Sequence, residues 1–186
     1  MATNSIYLVN YHPLNSEPLK SITRFSKKEA FEIAQKLYEE NHVPGYERFG
    51  PGFESYYTLR METEKWLYEE FIAIGGKPQT THPLYFFVHD WDVVHKLWSV
   101  KIAEKIALDE IDIHDISFTF GDSCIMMNAP NRKPPFNKNA LLDFFAANDG
   151  DVEKTLDEVE RIFDNRVIEA QIWNDKYFDI TAVHSK

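Results

Sequence analysis

HDWDVVH, residues 89–95, places two histidines and two aspartates within seven positions. On a helix, Asp92 and His95 stand one turn apart, so both can reach the same point. With His89 and the upstream His82 they form a candidate set for a divalent metal, because carboxylate and imidazole suit zinc, iron or manganese. Alternatively, His89 could pair with an aspartate that sets its tautomer, as acid/base catalysis requires. The spacing matches neither H-E-x-x-H nor another recognised ligand pair. A simpler reading makes Asp90 a helix cap, puts Asp92 at the positive end of the helix dipole, and turns Trp91, Val94 and Leu97 or Trp98 into the core. The sequence therefore favours no cofactor and no catalytic residue, with His82, His89, Asp92 and His95 as the alternative metal set.

Cys124 follows the tight turn Gly121-Asp122-Ser123, where a nucleophile could use His114 or His89 as its base. Its neighbours Ile125, Met126 and Met127 point instead to a buried thiol. Ser123 lacks the G-x-S-x-G elbow. The acids of DEIDIHD (109–115) lack the glycine and spacing of a calcium loop and read as a solvated connection. The glycines are too scattered for a phosphate loop. GYERFGPGFESYY (45–57) offers a binding surface of a different kind. Tyr46, Arg48, Phe49, Phe53, Tyr56 and Tyr57 are residue types that stack on rings or anchor interfaces.

The elements that must carry these residues follow from periodicity. Ser5–Tyr11 alternates as an interior strand and stops at Pro13. Ser26 and Glu29 form a capping box that opens a helix to about Asn41. Apolar residues at three- and four-residue steps predict a helix from Phe53 to Ile74, stopped by Gly75-Gly76, with Arg60, Glu64, Lys65 and Glu69 as a solvated stripe. Leu84–Val88 reads as a buried strand, and a helix is expected from Trp91 to about Val100. A short strand follows at Lys105–Leu108.

In Ile116–Phe120, Ile116, Phe118 and Phe120 form a buried face, and Ser117 and Thr119 an exposed or hydrogen-bonded one. NAPNRKPPF (128–136) is a long loop. Helices at 139–147 and 152–163 flank Asp149-Gly150. Arg166–Trp173 and Lys176–Val183 are expected to form a hairpin across Asn174-Asp175.

FGPGFESYY (49–57), EKWLYEEFIAIGGKP (64–78), HPLYFFV (82–88), ISFTFGDS (116–123) and IEAQIWND (168–175) resemble segments of a group of small uncharacterised bacterial proteins. The resemblance implies a shared fold and carries no activity, since none of these segments is a known catalytic motif. LLDFFAANDGDVEKTLDEV (141–159) is also similar to ubiquitin-associated-type helical modules, but IEAQIW reads as a strand where a third helix would be needed.

Thirty Asp and Glu against 20 Lys and Arg give a net charge of −10, which opposes binding to phosphate backbones and excludes nucleic acid as the expected partner. A single cysteine excludes an internal disulfide and a multi-cysteine zinc site, which fits a reducing compartment. No signal peptide or membrane span is read, so the expected location is the cytoplasm.

These features predict one α+β domain over residues 1–186. A mixed or mainly antiparallel sheet of about five strands is packed by the 26–41 and 53–74 helices, with a helical insertion near 137–164. The expected function is a non-enzymatic protein-interaction factor, of inhibitor or immunity type, that offers an acidic, aromatic-rich surface to a basic protein partner. The acidic helix at 149–164 could present a row of charges to such a partner but reads first as an ordinary surface helix with one buried seam, and the alternative function is a small metal-dependent hydrolase or metal-binding protein using the His/Asp set.

Overall fold

The computed structural model describes residues 6–13, 19, 21–91, 94, 95 and 100–178. Its strands are β1 (Tyr7–Pro13), β2 (Leu84–Val88), β3 (Val100–Ala107), β4 (Ile116–Phe120), β5 (Phe136–Asn137) and β6 (Ile168–Ile172). They form one six-stranded sheet in the order β3-β1-β2-β6-β4-β5, and every pair of neighbouring strands is antiparallel. The helices are α1 (Lys27–Glu40), α2 (Phe53–Ala73), α3 (Lys138–Ala147) and α4 (Val152–Phe163). The architecture is α+β. Among the described residues, no helix is long and apolar enough to cross a membrane.

Strand alternation gives the sheet two unlike faces. Leu84, Phe86 and Val88 of β2, Ile116 and Phe118 of β4, and Ile168, Ala170 and Ile172 of β6 share one face. They meet Leu141 and Phe145 of α3 and Leu156 and Val159 of α4 in the main core. Each of the larger aliphatic and aromatic side chains contributes about 1.5–3 kcal/mol by leaving water. The 138–163 segment, inserted between β5 and β6 in the chain, thus supplies the helical side of that core. The chain passes from α4 into β6, so these two helices have a strand where a three-helix module would continue.

The opposite face carries Tyr85, Ser117, Thr119, Glu169 and Gln171, and α2 lies over it. Leu67 and Phe71 of α2 pack with Trp173, whose indole stacks on Phe71 at 5.6 Å between centroids. The N-terminal part of α2 packs elsewhere: Phe53 and Tyr57 join Ala30 and Ala34 of α1 in a separate cluster. Helix α1 starts where its capping box places it, with Ser26 Oγ accepting the Glu29 amide and the Glu29 carboxylate accepting the Ser26 amide at 3.1 Å. Ser26→Ala is expected to cost about 1 kcal/mol, read as a fall in urea midpoint at constant m-value.

Several sequence expectations need correction. Arg60 and Glu64 are not a solvated stripe, because their side chains are 12% and 0% exposed, while Lys65 and Glu69 are exposed. The sheet face beneath them is polar, so the helix turns a polar pair inward. The strand expected at Lys105–Leu108 is the end of β3, which pairs with β1 along Val100–Ala107. Of the helix expected over 91–100, Val94 and His95 are helical, and 92, 93 and 96–99 lie outside the described residues. Beyond Asn174 the chain enters a 3-10 turn at Asp175–Tyr177, and most of the second hairpin strand lies outside the described residues.

Candidate functional site

The polar inner face of the sheet, closed over by α2, holds two groups of hydrogen-bonded side chains, each built around a buried carboxyl. The first is centred on Glu169 of β6, which is 2% exposed. Its Oε1 accepts Ser123 Oγ at 2.5 Å, the Ser123 amide at 3.3 Å and Gln171 Nε2 at 3.0 Å. Gln171 Nε2 also donates to Thr119 Oγ1 at 3.1 Å, and its Oε1 accepts Ser117 Oγ at 2.9 Å. Trp173 Nε1 closes the chain by donating to Ser117 Oγ at 2.9 Å.

Register makes this network possible, because Ser117 lies opposite Gln171 and Thr119 opposite Glu169 across the β4–β6 ladder. Ser123 is delivered by a turn that needs glycine. Gly121 has φ +79°, and a Cβ there would come within 2.9 Å of Met126 Cγ and 3.1 Å of Asn165 Nδ2. Burial, reinforced by the Asp122 carboxylate, pushes the Glu169 carboxyl up to about 7, with Arg60 pulling the other way. A carboxyl so displaced inside a polar network marks a functional-site candidate.

The second group is centred on Glu64 of α2. Its carboxylate accepts His82 Nδ1 at 2.6 Å, Tyr85 Oη at 3.1 Å and Arg60 Nε at 3.1 Å. The Arg60 guanidinium lies 3.7 Å from the centroid of the Tyr85 ring. Burial opposes the Glu64 charge, but the His82 hydrogen bond and the Arg60 cation outweigh it and hold the carboxyl below its ordinary range. Arg24 fixes His82 from outside: its guanidinium donates to the His82 carbonyl at 2.6 and 3.0 Å and grips Asp175 at 2.9 and 3.0 Å.

The residues singled out from sequence are placed differently. His82 is bonded to Glu64, whereas His89, with φ +69° just past β2, pairs with Glu153 of α4 at 3.2 Å. Between them lies β2, whose five residues span roughly 17 Å at about 3.3 Å each. His95 pairs with Asp90 at 2.8 Å, and Asp90 also accepts Tyr11 Oη. Asp92 lies outside the described residues. His82, His89 and His95 therefore go to three different carboxylates, and no group of three or more His, Cys, Asp or Glu able to hold a metal ion occurs among the described residues.

Tyr46, Arg48, Phe49, Phe53, Tyr56 and Tyr57 do come together, as packing between α1, α2 and the 3-10 turn Pro44–Phe49. Tyr46, Phe53 and Tyr57 are buried, and only Arg48, Phe49 and Tyr56 keep partial exposure. Arg48 lies 5.2 Å from the Phe49 centroid and 5.0 Å from that of Tyr56. Burial raises the Tyr46 phenol to about 12.

Cys124 is 4% exposed, and burial pushes its thiol up, away from the thiolate a nucleophile needs. The Cys124 and Ile125 amides both donate to Asp122 Oδ1, at 2.9 and 3.0 Å, so neither is free to stabilise an oxyanion. DEIDIHD is not wholly solvated: Asp115 is buried and accepts Tyr177 Oη, Asn174 Nδ2 and Lys176 Nζ.

Sequence reasoning missed Arg60, Glu64, Glu169 and Gln171. For Glu169 and Gln171 the signal was present in the alternation of IEAQI, matched across the ladder by that of ISFTF. Both strands put apolar residues on one face, and both put hydrogen-bonding residues on the other. Comparison with protein-family models, curated proteins and solved structures finds no match to the chain.

Proposed function

We propose that the protein is a non-enzymatic, cytoplasmic interaction factor of inhibitor or immunity type that docks a basic protein on its α3–α4 surface. The observation that carries this reading is the outer side of α4. Residues 149–164 hold seven acids, and Asp149, Asp151, Glu153, Asp157, Glu160 and Asp164 among them are exposed. Against these seven stand Lys154, Arg161 and the adjacent Arg166, a net of −4. Arg166 holds Glu153, Asp157 and Glu160 together at 2.6, 2.8 and 3.9 Å, and its single positive charge leaves that cluster net acidic.

Leu142 of α3 and Ile162 of α4 are 40% and 46% exposed, and they offer apolar anchors on these two helices. Complementary charge of this kind speeds encounter and selects partners. Reducing conditions suit the single Cys124, whose thiol has no cysteine to pair with in this chain.

The test compares capture from an extract of the source cells by the wild-type protein and by the double charge reversal Asp157→Lys with Glu160→Lys. A basic protein retained at low salt, released at high salt and lost on reversal is the expected result. Equal retention by the reversed variant removes this surface as the docking site.

A further inference from the structure

Four half-buried rings meet where β1 and β2 give way to the turn at His89. Tyr11 of β1 lies 5.8 Å from Phe87 of β2 and 5.1 Å from His95, and Phe87 lies 6.1 Å from Trp91, all between ring centroids. The planes meet at 48°, 87° and 48°, so the rings stand as adjoining walls and not as a flat stack. Among the described residues, Tyr11, Phe87 and Trp91 belong to none of the three apolar clusters. The chain leaves β2 through His89, whose φ of +69° lies in the left-handed region. The Trp91 amide then donates to Tyr11 Oη at 2.7 Å, and Tyr11 Oη donates to Asp90 Oδ1. His95 Nε2 meets the same oxygen at 2.8 Å, and the Asp90 side chain stays 42% exposed. Burial opposes the Asp90 charge, but the hydrogen bonds from Tyr11 and His95 outweigh it and hold the carboxyl below its ordinary range. An ionised carboxylate thus stands against a set of ring faces that hydrogen bonds hold in place.

We propose that this corner binds a small quaternary ammonium solute of the choline type, with its methyl groups against Tyr11, Phe87 and Trp91 and its charge answered by Asp90. Ring faces carry the negative end of the aromatic quadrupole and attract a cation, tryptophan most strongly. The carboxylate adds a full negative charge, and the net charge of −10 draws cations toward the surface. Hydrogen-bonding capacity selects among cations. A primary ammonium brings three N–H donors that ring faces satisfy poorly, so it loses much of its hydration on entry. A quaternary ammonium has no N–H to satisfy and meets the rings with methyl groups. Asp90 repels an anion, and an uncharged apolar solute gains nothing from either the carboxylate or the quadrupoles. The site shares no residue with the α3–α4 surface, and neither reading depends on the other.

The experiment titrates the full chain with choline chloride at about pH 8, above the ordinary histidine range, with sodium chloride lowered in step to hold ionic strength constant. Binding is followed by calorimetry and by the nitrogen-correlated NMR spectrum. Saturable binding with a dissociation constant below about 5 mM is the expected result, and the Trp91 indole resonance is expected to move furthest among the tryptophans. Dimethylbutanol, in which carbon replaces the quaternary nitrogen, is expected to bind about tenfold or more weaker. Methylammonium, with its N–H donors and single methyl group, is expected to do the same.

Asp90→Asn keeps an oxygen for Tyr11 and loses the charge, and is expected to weaken choline binding about fivefold. Trp91→Leu and Phe87→Leu, with folding verified by circular dichroism, keep an apolar side chain and lose a ring face, and each is expected to weaken it about two- to fivefold. A wild-type constant above about 5 mM, or equally tight binding of dimethylbutanol, overturns the proposal and needs no variant to fold. So does unchanged affinity in Asp90→Asn or in both ring variants, which places choline elsewhere on the chain. Retention on phosphatidylcholine vesicles without binding of free choline also overturns it, in favour of a membrane surface.

Discussion

Arg60→Ala is expected to destabilise the protein by about 3–5 kcal/mol, because it leaves the Glu64 carboxylate buried without its cation. Glu64 is 0% exposed, and its other partners, His82 and Tyr85, supply hydrogen bonds without the fixed charge of a guanidinium. The arginine also stacks on Tyr85, so truncation removes packing together with charge. Urea unfolding near neutral pH checks this: the midpoint should fall with little change in m-value, while the exposed Lys65→Ala stays within about 0.5 kcal/mol of wild type.

The double variant Arg60→Met with Glu64→Gln separates charge from shape. It removes both charges and keeps an acceptor for His82, so it is expected to cost less than Arg60→Ala alone. If the double variant is instead the less stable of the two, the cost comes from lost packing and the uncompensated carboxylate is not its source.

That pair also shows where the sequence was legible and where it was not. Elements governed by local signals were readable. The capping box placed α1, a wholly apolar run bounded by Pro83 and His89-Asp90 placed β2, alternation placed β4, and the seam of Val152, Leu156, Val159 and Phe163 placed α4 at Val152–Phe163. The fold class followed from the order of those elements. Arg60 and Glu64 were misread because a helix shows only which of its sides is apolar, and α2 is covered on more than one side. Whether a charged side is solvated depends on what lies opposite it. Here that is a sheet face of Tyr85, Glu169 and Gln171, brought together by pairing across more than 80 residues of chain.

HDWDVVH shows the converse. Its density in ligand types was a property of the chain alone, and β2 together with the turn at His89 sends His82 and His89 to different carboxylates. The Ser123–Glu169 contact is equally non-local. Ser123 and Glu169 lie in separate segments, ISFTFGDS and IEAQIWND, and nothing in either segment alone marks the serine as the carboxylate's partner.

Glu169→Gln is expected to remove a large part of the pH dependence of stability between about pH 5 and 8. In the folded protein the carboxyl sits at about 7 against an ordinary value of 4.5, so the native state holds the proton more tightly than the unfolded chain. Its stabilising contribution is therefore fully present below about pH 4.5 and is lost as the pH rises through about 7. A displacement of this size corresponds to roughly 3 kcal/mol.

Glutamine has nearly the same shape, stays neutral throughout, and keeps an oxygen to accept Ser123 Oγ. The variant is thus expected to gain up to roughly 3 kcal/mol on the wild-type chain between about pH 5 and 8. The carboxyls of Glu64, Asp90 and Asp115 are held low, so their stabilisation is lost only at more acid pH, outside this window.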